Sequence, residues 1–274
     1  MSETILERIV ARRREDIREA KRQTPFAELR ARLDDAPAAI DFAGRLRQDA
    51  PMAVIAEIKR ASPSKGDIAP CIDAGAQALA YAEAGAAGIS VLTEPAWFKG
   101  TLQDMRDARN CVDALGEVRP GVLRKDFIID EYQVVEARAW GADTVLLIVA
   151  CLDDAALRGL LDVSRALGME PLVEVANADE MDRAVKAGAQ FIGVNNRDLR
   201  DFSVDPANAE RLAGMAGEGV LLAALSGISE RADVERYERA GAQAVLVGET
   251  LMRAEDPGEK LRELLGHDRG ADAR

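Results

Sequence analysis

The sequence predicts an α/β fold in which eight parallel strands alternate with helices and close into one barrel, preceded by an extra helical segment. Three observations predict it. Short runs rich in Val, Ile and Leu recur eight times along the chain. Amphipathic stretches of about 10–15 residues separate them, the spacing of right-handed strand–helix–strand units. The junction from helix into strand also repeats. AEAGAAGISVL, ARAWGADTVLL, AVKAGAQFIGV and ERAGAQAVLVG each run helix end, Gly, Ala, strand. Gly85, Gly141, Gly188 and Gly241 are expected to end their helices in a left-handed turn. Eight such units favour a closed (β/α)8 (TIM) barrel over an open doubly wound sheet. No GxGxxG follows the first run, which weakens a dinucleotide-binding alternative.

The elements follow in order. Residues 1–45 read as a helical extension outside the repeat. ILERIVARRREDIREA places Ile5, Ile9, Val10 and Ile17 near one face and its arginines on the other. Such a helix could cap one end of the barrel. The barrel itself is expected over 52–265. Its strand runs are MAVIAEI from Met52, GISVLT from Gly88, GVLRKDF from Gly121 and DTVLLIVA from Asp143, then MEPLVEVA from Met169, QFIGVN from Gln190, VLLAALS from Val220 and QAVLVG from Gln243. Their apolar cores are nearly continuous, as parallel strands covered by helices require. Segments such as DAGAQALAYAEAG, DEYQVVEARAWG and NADEMDRAVKAG supply the helices. Residues 267–274 read as a flexible tail, and the whole of 1–274 as one domain.

Composition narrows the function. The chain has 274 residues, 48% of them hydrophobic, enough for one large barrel core. Its net charge of -12 gives no general attraction to nucleic acid or anionic lipid. An anionic ligand would need a local cluster of cations and backbone N–H groups. No apolar run approaches the roughly 18–20 residues that span a bilayer, and the charged N-terminus is not a secretory signal. Cys71, Cys111 and Cys151 stand apart, which points to reduced thiols in a cytoplasm and to small buried apolar roles. The lone histidine, His267, lies in the polar tail, so a Ser-His-Asp triad or a His-rich metal site is not expected. Acid–base work near neutral pH falls to carboxylates and lysines with shifted pKa values.

Chemistry on such a barrel sits at the C-terminal ends of the strands. The first run ends in AEIKRASPSKG, so Glu57 and Lys59 point to one side. The third ends in LRKDF, with Lys125 at its rim, and the fifth holds Glu174 among apolar neighbours. The sixth ends in Asn195 and Arg197. Charges converging on one rim favour a reactive site over a structural ion-pair network, which apolar packing would better replace. Ser226-Gly227 and Gly248-Glu249 end the last two runs before helices, where backbone N–H groups can approach a phosphate. Trp97, Phe98, Phe127, Leu146 and Ile148 could line a pocket for an aromatic ring.

Together these strings resemble indole-3-glycerol phosphate synthase. VIAEIKRASPSKGDI (54–68) is the most specific, and VLTEPAWFKGTLQDM, VLRKDFIIDEYQV, GADTVLLIVA, LVEV, FIGVNNRDL, SGIS and VLVGETLM follow in that family's order. The resemblance covers roughly Ile5 to Leu265. It implies ring closure, decarboxylation and dehydration of 1-(2-carboxyphenylamino)-1-deoxyribulose 5-phosphate, without metal or organic cofactor. It implies Lys125 as the general acid and Lys59 as a partner of the substrate carboxylate or of dehydration. It implies Glu57 and Glu174 as the groups that remove the anilinium proton and help expel water, their steps left open. Asn195 and Arg197 would contact substrate oxygens, and Ser62, Ser226, Gly227, Gly248 and Glu249 would surround substrate and phosphate. The N-terminal helix would close over the anthranilate end. Crowding of Lys59 and Lys125 is expected to bring one of them toward neutral pKa. The sequence departs from many relatives at Leu225, where they carry a carboxylate. Expected partners are a phosphorylated small molecule, no nucleic acid and no membrane, with the chain a monomer or weak homodimer. Another phosphate-binding barrel such as phosphoribosylanthranilate isomerase, and a catalytically silent barrel used as a scaffold, are the alternatives.

Overall fold

A computed structural model describes residues 4–49, 51–198 and 203–267. Its centre is a closed, all-parallel barrel of eight strands. They are β1 (Ala53–Ile58), β4 (Gly88–Leu92), β5 (Gly121–Lys125), β6 (Thr144–Ile148), β7 (Leu172–Val175), β8 (Phe191–Asn195), β9 (Leu221–Leu225) and β10 (Ala244–Val247). A short hairpin of β2 (Ala61–Ser62) and β3 (Gly66–Asp67) rises from the loop after β1. Every predicted run became a barrel strand, though several are shorter. The third stops at Lys125 because the Asp126 side chain captures the next amide, from Phe127, at 2.8 Å. The fifth starts at Leu172, directly after Pro171, which has no N–H for the ladder.

The outer ring comprises α4 (Ala74–Glu83), α5 (Leu102–Asp113), α6 (Glu131–Ala139), α7 (Asp154–Ala166), α8 (Ala178–Lys186), α9 (Asn208–Ala213), α10 (Arg231–Arg239), α11 (Glu249–Arg253) and α12 (Pro257–Leu265). Side chains cap many of them, as Asp73 does for α4 and Asp153 for α7. The four repeated junction glycines all adopt positive φ, between 84° and 100°, so the chain turns sharply from helix into strand. One apolar layer lies between helices and sheet, with Val54, Val91 and Val122 fully buried. A second fills the barrel interior, with Ile55, Leu123 and Phe191.

The extension forms α1 (Ile5–Gln23), α2 (Phe26–Ala31) and α3 (Phe42–Gln48). It serves both ends of the barrel. Phe42 of α3 stacks on Phe191, the first residue of β8, at 6.0 Å, and abuts Gly88 and Gly121, which start β4 and β5. It thereby plugs the N-terminal end. Beside it Asp143 is fully buried, paired with Arg119 at 2.6 Å and accepting the Ile40 amide at 3.0 Å. Helix α1 lies at the opposite end, against the loops after β5 and β6. Its apolar face holds Ile9, Val10 and Ile17 as expected, but the division of faces is broken by Arg13, which is also buried. Its guanidinium reaches the Asp126 carboxylate at 3.1 Å, so a residue that looked solvated joins α1 to the end of β5.

The cysteines correct a second expectation. All are free, but none is buried: Cys71 is exposed, and Cys111 and Cys151 are partly so. Cys71 stands in the loop before α4, Cys111 at the α4–α5 seam over Gly75, and Cys151 in the turn after β6. Among the described residues, no helix is long and apolar enough to cross a membrane. The proposed tail lies outside the described residues from 268 onward.

Candidate active site

A cavity of about 430 Å³ opens at the C-terminal ends of the strands, a size suited to a small ligand. With the exception of Trp97, the residues assigned to the site from sequence line it: Glu57, Lys59, Ser62, Phe98, Lys125, Phe127, Leu146, Ile148, Glu174, Asn195, Arg197, Ser226, Gly227, Gly248 and Glu249. Trp97 does not line it and packs beside it against the interior core. No cysteine is among the described lining residues.

The polar centre is a set of linked charges. Lys59 Nζ donates to Glu57 Oε1 at 2.7 Å, the outcome of their two-residue spacing on β1 and just beyond it. Lys125 Nζ meets Glu174 Oε2 at 3.4 Å across the mouth. Asn195 Nδ2 donates to Glu174 Oε1 at 2.8 Å, and Asn195 Oδ1 accepts the Arg197 amide at 3.0 Å. Glu174 therefore has both oxygens engaged, one by a cation and one by an amide. Such pairing is what lets carboxylates stay charged at so little exposure.

Electrostatics correct the expected lysine behaviour. Burial opposes the ammonium of Lys125, but attraction to Glu174 and Glu57 outweighs it and lifts the group above the ordinary lysine value. For Lys125 the expected lowering is thus reversed by the two carboxylates that face it. Burial likewise opposes the Glu57 carboxylate, and Lys59 and Lys125 outweigh it, so its pKa is lowered.

One wall is apolar. Leu146 and Ile148 come from β6, and Phe98 faces Phe127 with ring centroids 6.0 Å apart. The loop carrying Phe98 is fixed by buried Glu94, whose carboxylate accepts the amides of Ala96, Trp97 and Phe98 at 2.8, 2.7 and 3.0 Å. Phe127 is fixed by Asp126, which also accepts from Thr93 at 2.6 Å and pairs with Arg124 and Arg13. Burial of Asp126 is outweighed by Arg13 and Arg124, and its pKa is lowered. Leu225, at the departure from many relatives, is buried in this interior against Gly193 and also lines the cavity.

The far side carries the backbone cradle. Ser226 and Gly227 take φ of 67° and 78° after β9, a bend that few non-glycine residues accept. Gly248 heads α11 after β10. A Cβ there would lie 2.3 Å from Glu57 Oε1, so a side chain at this position would push the Glu57 carboxylate aside. Glu249 turns its carboxylate to Arg253 Nε at 3.2 Å and Lys65 Nζ at 3.6 Å. Arg253 lines the cavity and escaped sequence reading, although its four-residue spacing from Glu249 on one helix face was a signal. Asp126 was also missed as a lining residue, despite its place inside LRKDF. Among the described residues, no group of three or more His, Cys, Asp or Glu is placed to hold a metal ion.

Comparison with known proteins agrees with this architecture. Solved structures of other barrels superpose broadly: 3-hexulose-6-phosphate synthase gives a TM-score of 0.61 at 18% identity, covering 79% of this chain and 99% of that one, a likeness of fold alone. A multifunctional tryptophan biosynthesis protein of Schizosaccharomyces pombe is 54% identical over 96% of this chain, which spans only 35% of that relative's length. Indole-3-glycerol phosphate synthase of Roseiflexus sp. is 48% identical over 96% of this chain and 99% of its own. The family model described as indole-3-glycerol phosphate synthase matches residues 6–264. By that match and by relatives of equal length, the chain belongs to the indole-3-glycerol phosphate synthase family.

Proposed function

We propose that the chain converts 1-(2-carboxyphenylamino)-1-deoxyribulose 5-phosphate into indole-3-glycerol phosphate, carbon dioxide and water, as a step of tryptophan biosynthesis. The observation that carries this reading is the meeting of Lys59, Lys125, Glu57 and Glu174 in one cavity, between an apolar wall and a glycine-rich backbone cradle. Lys125 protonates the ketone oxygen as the ring carbon bearing the carboxylate attacks the ketone carbon. Its proton is present throughout the neutral range because Glu174 and Glu57 hold it there. Substrate entering between Lys125 and Glu174 loosens that hold and makes the ammonium a better donor. Lys59 receives the substrate carboxylate until carbon dioxide leaves. Restored aromaticity drives that loss, so the site supplies positioning rather than an electron sink.

Dehydration follows. Glu57 and Glu174 divide handling of the nitrogen proton and delivery of a proton to the departing hydroxyl; the hydrogen lost overall is one from the former C1 methylene, so the indole keeps its N–H. Asn195 orients Glu174, and Arg197 contacts substrate oxygens. Phe98, Phe127, Leu146 and Ile148 hold the anthranilate ring. Ser62 and the turns at Ser226-Gly227 and Gly248-Glu249 hold the phosphate end, with Glu249 contributing its backbone N–H. The reading places the protein in the cytoplasm as a monomer or weak homodimer.

The test is direct. Purified chain mixed with the substrate should produce indole emission in step with released carbon dioxide. Substrate that stays unchanged, or that is consumed without indole emission, refutes the reading.

A further inference from the structure

Ser90 lies in β4 opposite Glu57 of β1, and next to Leu123 of β5 on its other side. Residues in register on neighbouring strands project to the same side of a sheet. Ser90 therefore shares the level of Glu57 on the barrel wall. It is fully buried, and its Oγ has no hydrogen-bond partner. A buried hydroxyl left in that state is costly, and alanine would fill nearly the same space without the cost. Leu123 offers it no side-chain acceptor. The adjoining acceptor is the Glu57 carboxylate, of which Lys59 engages only Oε1. The hydroxyl is near enough to Glu57 for a weak hydrogen bond that favours the charged carboxylate, short of full bonding geometry in the substrate-free site.

We propose that Ser90 is a positioning residue for Glu57, its hydroxyl donating to the carboxylate from within the barrel when substrate draws Lys59 away. This rests on the proposed reaction. With the substrate carboxylate bound, the three N–H donors of Lys59 are shared between two anions, and its hold on Glu57 weakens. A buried carboxylate whose donor is shared in this way gains from a second, and Ser90 is poised to supply it. The other groups facing Glu57 cannot do so freely. Lys125 of β5 pairs with Glu174 and, in the proposed reaction, turns to the substrate ketone. Gly248, after β10, has no side chain to offer. Tyr81 of α4 feels the Glu57 charge, but its hydroxyl is turned to Met252.

Ser90→Ala and Ser90→Cys in the full chain test this, with kcat and KM measured across pH beside thermal unfolding. Cysteine keeps the bulk but donates weakly. Both variants should lose about tenfold in kcat/KM, the worth of one charge-assisted hydrogen bond. The acidic limb of the kcat profile, which reports the substrate-bound enzyme, should move to higher pH, while Tm stays level or rises. Wild-type kcat/KM and an unmoved limb in Ser90→Ala overturn the proposal. So does lost activity with an unmoved limb and a lowered Tm, or loss of fold in both variants, since each marks a packing role. A wild-type protein without turnover brings down the reaction itself, whereas an active wild type beside an indifferent Ser90→Ala brings down Ser90 alone.

Discussion

Replacing Lys125 by Met separates the acid from its surroundings. The ammonium sits 3.4 Å from Glu174 and pairs with that carboxylate. Glu174 keeps the 2.8 Å bond from Asn195, and Glu57 keeps its 2.7 Å bond from Lys59. Neither carboxylate is left without a donor, so the cost to folding should fall below the about 3–5 kcal/mol of a fully broken buried pair. The Met side chain retains most of the lysine stem against the apolar wall. Loss of a general acid removes about 10²–10⁴ in rate. At about 1.36 kcal/mol per decade that is about 2.7–5.4 kcal/mol of barrier. Substrate affinity should stay within about tenfold, or roughly 1.4 kcal/mol, because the phosphate cradle and aromatic wall are untouched. Indole fluorescence under steady-state conditions gives kcat and KM, and urea unfolding gives the folding cost. Turnover above about a tenth of wild type would remove Lys125 from the acid's role.

Three further outcomes are expected. Ser226→Asp puts a carboxylate at the proposed phosphate cradle and should raise KM with little change in kcat; an unchanged KM would move the phosphate elsewhere. Asp126 has its pKa lowered in the fold, so its contribution to stability is present above its ordinary value of 3.8 and is lost as pH falls toward the lowered value. Arg13→Met removes one cause of that lowering, so its Tm should fall less than wild type on acidification from pH 7 to about 3; equal slopes would deny the coupling. Phe42→Ala empties the plug at the N-terminal end and should cost about 3–5 kcal/mol by denaturant unfolding, with kcat retained at low temperature. A loss under about 1 kcal/mol would mean that the end closes without it.

The barrel was legible because parallel strands buried on both faces leave runs such as TVLLI and AVLV that no surface helix would carry. The site was legible because ionisable residues are out of place in such runs. Glu174 between Val173 and Val175 is conspicuous on one strand, and decisive once strands are known to share a mouth. What remained hidden depends on distance between segments. A helical wheel cannot know that Arg13 faces a buried Asp126, so the arginine looked solvated. The direction of the Lys125 shift is set by Glu174 and Glu57 outweighing burial, and sequence spacing gives no such balance. Strand β3 and its pairing with β2 lie within ASPSKGD, too short for any period to appear.

The placement of the N-terminal extension also governs when the protein can be completed. Arg13 is separated by 113 residues from Asp126, the Tyr132 hydroxyl donates to Ala20 across 112, and Ile40 waits 103 for Asp143. During synthesis the first helix thus emerges with no surface on which to rest until β5, α6 and the start of β6 have followed. Contacts so distant along the chain form slowly, since a long loop must close before any of them is gained. A nascent chain halted before β5 would therefore hold an unseated, arginine-rich helix.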